Sequence, residues 1–138
     1  MKTKSVVPLN NPNDALDIFK QELMPAVTDV RGEVVESDLG DFSHIALRHQ
    51  EIPERMSWIR ETLQNPEEIW RHWQMPAREV YVNTIFESDD DDEGTLHIVV
   101  IERRLLTLKL WTSFVPKFPD TYRERVERGD LLWQPSES

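Results

Sequence analysis

The chain has 138 residues, a net charge of −10, 38% hydrophobic and 30% charged residues, and no cysteine. This length suits one domain, residues 1–138, that buries roughly two-thirds of its unfolded surface, and the lack of cysteine excludes disulfides and thiolate chemistry and fits a cytoplasmic setting. No apolar run approaches the ~20 residues that cross a bilayer, and the start of the chain lacks the apolar stretch of a secretory signal, so no membrane partner is expected. The acidity is local: residues 1–42 hold 8 acids and 4 bases, Glu87–Glu93 holds 6 acids and no base, and the remainder balances at 12 of each. Overall acidity disfavours non-specific binding to nucleic acid but leaves room for one focused basic cleft.

In chain order, residues 1–10 read as a flexible arm. Asn11-Pro12-Asn13-Asp14 opens a helix, because Asn caps and Pro suits a first turn. Leu16, Phe19 and Leu23 form its apolar stripe and Pro25 ends it. "VTDVRGEVVESD" has Gly32 at a turn between valines and suggests a short hairpin or irregular strand. The stretch "HIALRHQEI" then gathers His44, Arg48 and His49. His44 and Arg48 are four apart and share a side whether the segment is a strand or a helix, whereas His49 joins them only if the chain bends near Gln50. "PERMSWIRETLQ" is a helix with Met56, Ile59 and Leu63 on one face. Asn65-Pro66-Glu67-Glu68 carries the signature of a second helix start, running to about Trp73.

Strands follow. "REVYVNTIF" (78–86) alternates, with Val80, Val82, Thr84 and Phe86 on one face. "ESDDDDEGT" is a polar, solvated loop. "LHIVVIER" (96–103) is almost continuously apolar and reads as a central strand. "RLLTLKLWTSF" (104–114) alternates, with Leu108, Leu110, Thr112 and Phe114 facing one way and Lys109, Trp111 and Ser113 the other. A short helix near 119–128 stops at Gly129, before a final apolar piece, Leu131-Leu132-Trp133. The expected fold class is α+β: N-terminal helices packed on a small antiparallel sheet, a three- to four-stranded meander.

The chemistry these residues allow is limited. His44 with Arg48 suits a general acid/base beside a phosphate-stabilising cation, or an exposed His–Arg pair with His49 capping the helix at 53. Thr112 and Ser113 beside Trp111 at a strand end can hold a phosphate or stack a base, or are simply good strand residues. His44 and His49 lack helical zinc spacing, and Asp89–Gly94 resembles a calcium loop whose twelfth position is Val100, so no metal is expected.

The order of these pieces is what carries a resemblance. "HIALRHQEI" runs into a helix, "IRETLQNPEEI" gives helix, Asn-Pro corner and helix, and a meander ends in "LKLWTSF" with "RGDLLW" after it. This resembles the phage- and toxin-associated nuclease domains grouped with barnase, EndoU, colicin and RelE ribonucleases, the BECR fold, over about residues 42–133. The resemblance implies an endoribonuclease, a toxin or a phage or mobile-element effector, that cleaves RNA through the RNA's own 2′-hydroxyl without metal or other cofactor. By resemblance His44 is the acid/base, His49 its partner or replacement, Arg48 or Arg78 the cation at the phosphate, and Thr112 the strand-end hydroxyl that orients it. Arg78, Lys109, Trp111 and Ser113 are the substrate-binding neighbours, and the implied partners are RNA and a protein partner or antitoxin. The family's strand-end motif often continues Thr-Ala-Tyr, whereas this chain has Thr112-Ser113-Phe114 and loses the phenol. The second reading is a protein-interaction module of the same α+β shape without catalysis, whose acidic loop and exposed tryptophans engage a basic partner.

Overall fold

Local capping chemistry starts the helices of this protein, described here over residues 3–136 by a computed structural model. Asn11 accepts a hydrogen bond from the Asn13 N–H at 3.0 Å and Pro12 sets the opening turn, so α1 (Ala15–Glu22) forms and buries Ala15 and Phe19. Asp38 and Asp41 make a reciprocal capping box that starts α2 (Leu39–Arg48). The histidine-rich stretch is therefore helical to Arg48, and His49 is its C-cap. α3 (Met56–Gln64) follows a short 3₁₀ turn at Pro53–Arg55 and buries Met56, Trp58, Ile59, Thr62 and Leu63.

The strands correct the expected small antiparallel meander. They are β1 (Ser5–Val6), β2 (Ala26–Thr28), β3 (Val34–Glu36), β4 (Glu68–Arg71), β5 (Arg78–Phe86), β6 (Thr95–Arg103), β7 (Leu108–Phe114) and β8 (Leu131–Trp133). They form one curled, mixed half-barrel of eight strands in the order β2-β3-β7-β6-β5-β4-β8, with β1 parallel to β5. Four α-helices lie among the described residues; the last, α4 (Pro119–Val126), leads into β8. The meander β5–β6–β7 is its antiparallel centre, and β6 is the central strand. The flanking strands are two to four residues long, too short to write a period-2 pattern into the sequence.

Two segments differ in kind from their expected form. Residues 68–71, expected as a helix after Asn65-Pro66, are a strand paired antiparallel to β5, with Ile69 opposite Tyr81 and Trp70 opposite Val80. Ile69 enters the core on one face of the sheet and Trp70 packs on the other, which a helix could not achieve; the sheet's need for a partner on β5 overrides a local capping preference. The supposed loose arm is also tied: Val7 N–H donates to the Phe86 carbonyl at 2.8 Å, and the Trp58 indole N–H to the Val7 carbonyl at 3.0 Å.

The sheet has two packed faces. The first carries the main core, in which Tyr81, Val99, Ile101 and Leu110 meet Phe19, Ile45, Ile59 and Leu63 from α1, α2 and α3. The second carries Val80, Val82, Ile98 and Val100, packed by Val126 and Tyr122 of α4 and by Trp70, Trp73, Trp111 and Phe114.

Candidate active site

The register of three strands decides which side chains share the second face. Val80, Val100 and Thr112 stand opposite one another across β5, β6 and β7. Arg78, two residues from Val80, projects to the same side. A bulge in β7 moves the pairing from Val100–Thr112 to Ile101–Leu110 and leaves Trp111 between them. Leu108 and Leu110 consequently face the main core, while Trp111 and Thr112 both serve the second face. The uniform alternation expected over 104–114 fails here, because the extra residue inverts its phase.

β3 pairs with β7 only at Leu108 and Lys109. Beyond that point α2 lies along the strand, in the same direction. Lys109 grips the helix N-terminus through Asp38 at 2.9 Å and through Asp41. The His44 ring then stands 6.4 Å from Trp111, and the His49 ring 5.3 Å from Phe114. The Arg78 guanidinium lies 4.1 Å from the centre of the Trp111 ring, so cation, indole and imidazole form a row across the sheet. Arg78 Nε sits 3.7 Å from a Glu102 carboxylate oxygen but makes no hydrogen bond, and neither does Thr112 Oγ1; both atoms are buried. Two buried polar atoms that make no hydrogen bond therefore lie on this face of the sheet, the Arg78 side chain keeping its ion pair with Glu102 and its contact with Trp111.

His49 is half-buried and lines a cavity of about 370 Å³ with Phe114 and Tyr122. Burial holds its pKa below the usual histidine value; Glu51 opposes this, and the neighbouring His44 and Arg48 add to the lowering. His72 is lowered too, by burial and by Arg78, and its Nδ1 accepts from the Gln74 and Met75 N–H groups at 3.1 Å, which fixes it as a turn-forming acceptor.

The structure thus brings Arg78, Trp111 and Thr112 to one side of the sheet, with His44 against Trp111 and His49 at the C-cap of the same helix. Arg48 is exposed in the last turn of α2. Ser113 is not with them: it lies on the opposite face, wholly buried, 2.8 Å from His97 Nε2. Lys109 is paired with two carboxylates, Asp38 and Asp41, and so docks α2 on the strand. Sequence reasoning missed Tyr122, whose ring meets Phe114 at 5.2 Å and Trp73 at 5.7 Å, so α4 supplies a phenol beside the strand end that lacks one. Only the topology that folds α4 back over the sheet could have revealed it.

Among the described residues no group of three or more His, Asp or Glu is placed to hold a metal ion, and no helix is long and apolar enough to cross a membrane. The model of the family described as phage-Barnase-EndoU-ColicinE5/D-RelE like nuclease2 matches residues 14–134, which adds α1 to the region whose motifs suggested the likeness. No curated protein and no solved structure matches the chain.

Proposed function

The chain belongs to this phage-Barnase-EndoU-ColicinE5/D-RelE like nuclease2 family, and from that premise we propose that it is an endoribonuclease, a cytoplasmic toxin or effector, that uses the RNA 2′-hydroxyl as nucleophile. The observation that carries the reading is the placement of α2. It sets His44 beside Trp111 and His49 beside Phe114, along the strand that presents Thr112 and faces Arg78.

His49, kept neutral by its lowered pKa, takes the proton of the 2′-hydroxyl. The 2′-oxygen attacks phosphorus, the bond from phosphorus to the 5′-oxygen breaks, and His44 protonates that leaving oxygen. His44 lies in the helix and His49 is its C-cap, so the two rings meet successive positions of β7, Trp111 and Phe114. Arg48, free at the helix end, and Arg78 neutralise the developing phosphorane charge, while Thr112 Oγ1 donates to a phosphate oxygen. No step needs a metal-bound water, because the nucleophile belongs to the substrate.

The test is incubation of the pure protein with single-stranded RNA in EDTA. Cleavage leaving a 2′,3′-cyclic phosphate is expected, with His44→Ala slower by about 10²–10⁴. The acid limb of kcat/KM should fall below ~6.5, since a base of lowered pKa stays neutral further into acid. Linear 3′-phosphate ends from the first turnover, or equal activity in His44→Ala, would reject the assignment.

A further inference from the structure

The cavity beside His49 has walls that the cleavage chemistry does not use. It opens between the C-cap of α2 and the start of α4, at about 370 Å³, within the roughly 300–1,000 Å³ of small-ligand sites. Phe114 and Tyr122, packed edge to face at 5.2 Å, form its inner side. Phe118 stands at its mouth with 67% of its surface exposed, a large apolar ring that contributes nothing to the core. Lys117 reaches 5.7 Å from that ring, and Arg125 lines the same cavity. One carboxylate, Glu51, also lines it, and its Oε2 is occupied by the Val115 N–H at 3.0 Å. Two cations and the His49 ring thus face one occupied carboxylate around exposed aromatic surface, with Asp120 in the adjoining groove beside Lys117 and Phe118. Flat rings flanked by Lys or Arg are the chemistry that holds single-stranded nucleic acid, since every base has a face to stack and a phosphate beside it.

We propose that this cavity is a subsite for one unpaired nucleobase of single-stranded RNA, stacked on Phe118, with its flanking phosphate between Lys117 and Arg125. The inference rests on the nuclease reading above and adds to it a substrate requirement: the nucleotide adjoining the scissile bond on the His49 side must be unpaired. Phosphate contacts from Lys117 and Arg125 bring the strand in irrespective of sequence, and the stacked base sets its register against His49 and His44. A duplex, whose bases are already stacked, cannot supply the flipped base.

The test compares wild type and Phe118→Ala on a short single-stranded RNA carrying one cleavage site, and on a series in which each base in turn is replaced by an abasic ribose. Phe118 is exposed, so its replacement leaves the core intact. Phe118→Ala should raise KM by roughly 5- to 100-fold, the range of one base–aromatic stack, with kcat changed less than about twofold. At one abasic position, the one adjoining the cleaved bond, wild type and Phe118→Ala should become equal. Lys117→Ala should weaken binding of every member of the series and reduce the salt slope of log K by about one. A wild type that cleaves RNA while Phe118→Ala matches it throughout would overturn the subsite and leave the nuclease reading standing. A Phe118→Ala loss that persists at every abasic position would also overturn it, showing a structural effect. A wild type that neither binds nor cleaves any of these RNAs would remove the nuclease reading and the subsite with it.

Discussion

His97 is the residue on which acid stability should turn. It is fully buried, with Thr62 Oγ1 2.7 Å from Nδ1 and Ser113 Oγ 2.8 Å from Nε2. Ser113 donates its own proton to the Ile98 carbonyl at 3.0 Å, so the imidazole must carry hydrogen on Nε2 and accept at Nδ1, the neutral form. Burial, with a smaller contribution from Arg55, pushes its pKa down to about 3. The unfolded value is ~6.5, so unfolding takes up a proton anywhere between the two. Stability from this group is complete above pH ~6.5 and falls as the pH drops toward 3, by up to about 1.4 kcal/mol per pH unit. His97→Gln, which keeps a donor and an acceptor but cannot titrate, should show a shallower loss between pH 6 and 4 in denaturant melts; an unchanged slope would assign acid sensitivity to carboxylates instead. Ser113, expected beside Trp111, lies on the other face because the strand's alternation, shifted by the bulge at Trp111, turns that hydroxyl inward to His97.

At the scale of elements, the junction of α4 and β8 decides whether Tyr122 reaches the second face at all. Gly129 sits there against β4: a Cβ would come within 1.9 Å of the Arg71 carbonyl oxygen. Arg71 also holds Asp130, by its N–H to the Asp130 carbonyl at 2.8 Å and by a side-chain ion pair at 3.0 Å. Gly129→Ala must push the turn off β4, costing about 1–3 kcal/mol, as overpacking does. It should also change the near-ultraviolet signal of the Trp73–Tyr122 contact; a melt identical to wild type would show that the turn relaxes freely. The sequence announced Gly129 as a helix stop but not what it stops against. The same division holds elsewhere. α1 and α3 were legible because a 3.6-residue apolar stripe spans two or more turns in each, and β6 because nearly all of it is apolar. β4 was not, since four residues after an Asn-Pro pair look like a helix start until β5 is there to pair with.

On the scale of the whole molecule, charge is sorted. The acidic β5–β6 loop is a turn built by Asp91, whose carboxylate accepts from the Gly94 N–H at 3.0 Å and the Glu87 N–H at 3.1 Å, and Lys4 anchors it through the carbonyls of Asp89 and Asp91. Its other carboxylates have no such role and contribute a field that repels polyanions. Replacing Asp89, Asp90 and Asp92 together by Asn should leave stability within about 0.5 kcal/mol. The same variant should tighten RNA binding at low salt, with the difference vanishing near ~1 M, where the screening length is only about 3 Å. Equal affinity at low salt would mean that the loop is electrically remote from the proposed RNA site. A second network, Asp29, Arg31, Glu33, Glu79 and Arg103, closes on itself at the other end of the β5–β6 hairpin and pairs both of its arginines with carboxylates.

The sequence by itself determined the central meander, the helices α1 and α3 and the local nature of the acidity, because each is written in neighbouring residues; in α1 the expected stripe holds at Phe19 and Leu23 but not at Leu16, which is exposed. The order of its motifs also sufficed to place it among nuclease domains. Tertiary structure alone decided the extent of the sheet, the helical state of residues 44–48, and which groups converge. α2 is held along β7 by Lys109 reaching Asp38 and Asp41, some seventy positions away in the chain. The bulge puts Trp111 and Thr112 on one face and Ser113 on the other, and α4 returns over the sheet with Tyr122. Those are long-range pairings, and no local period encodes which distant partner a side chain will meet.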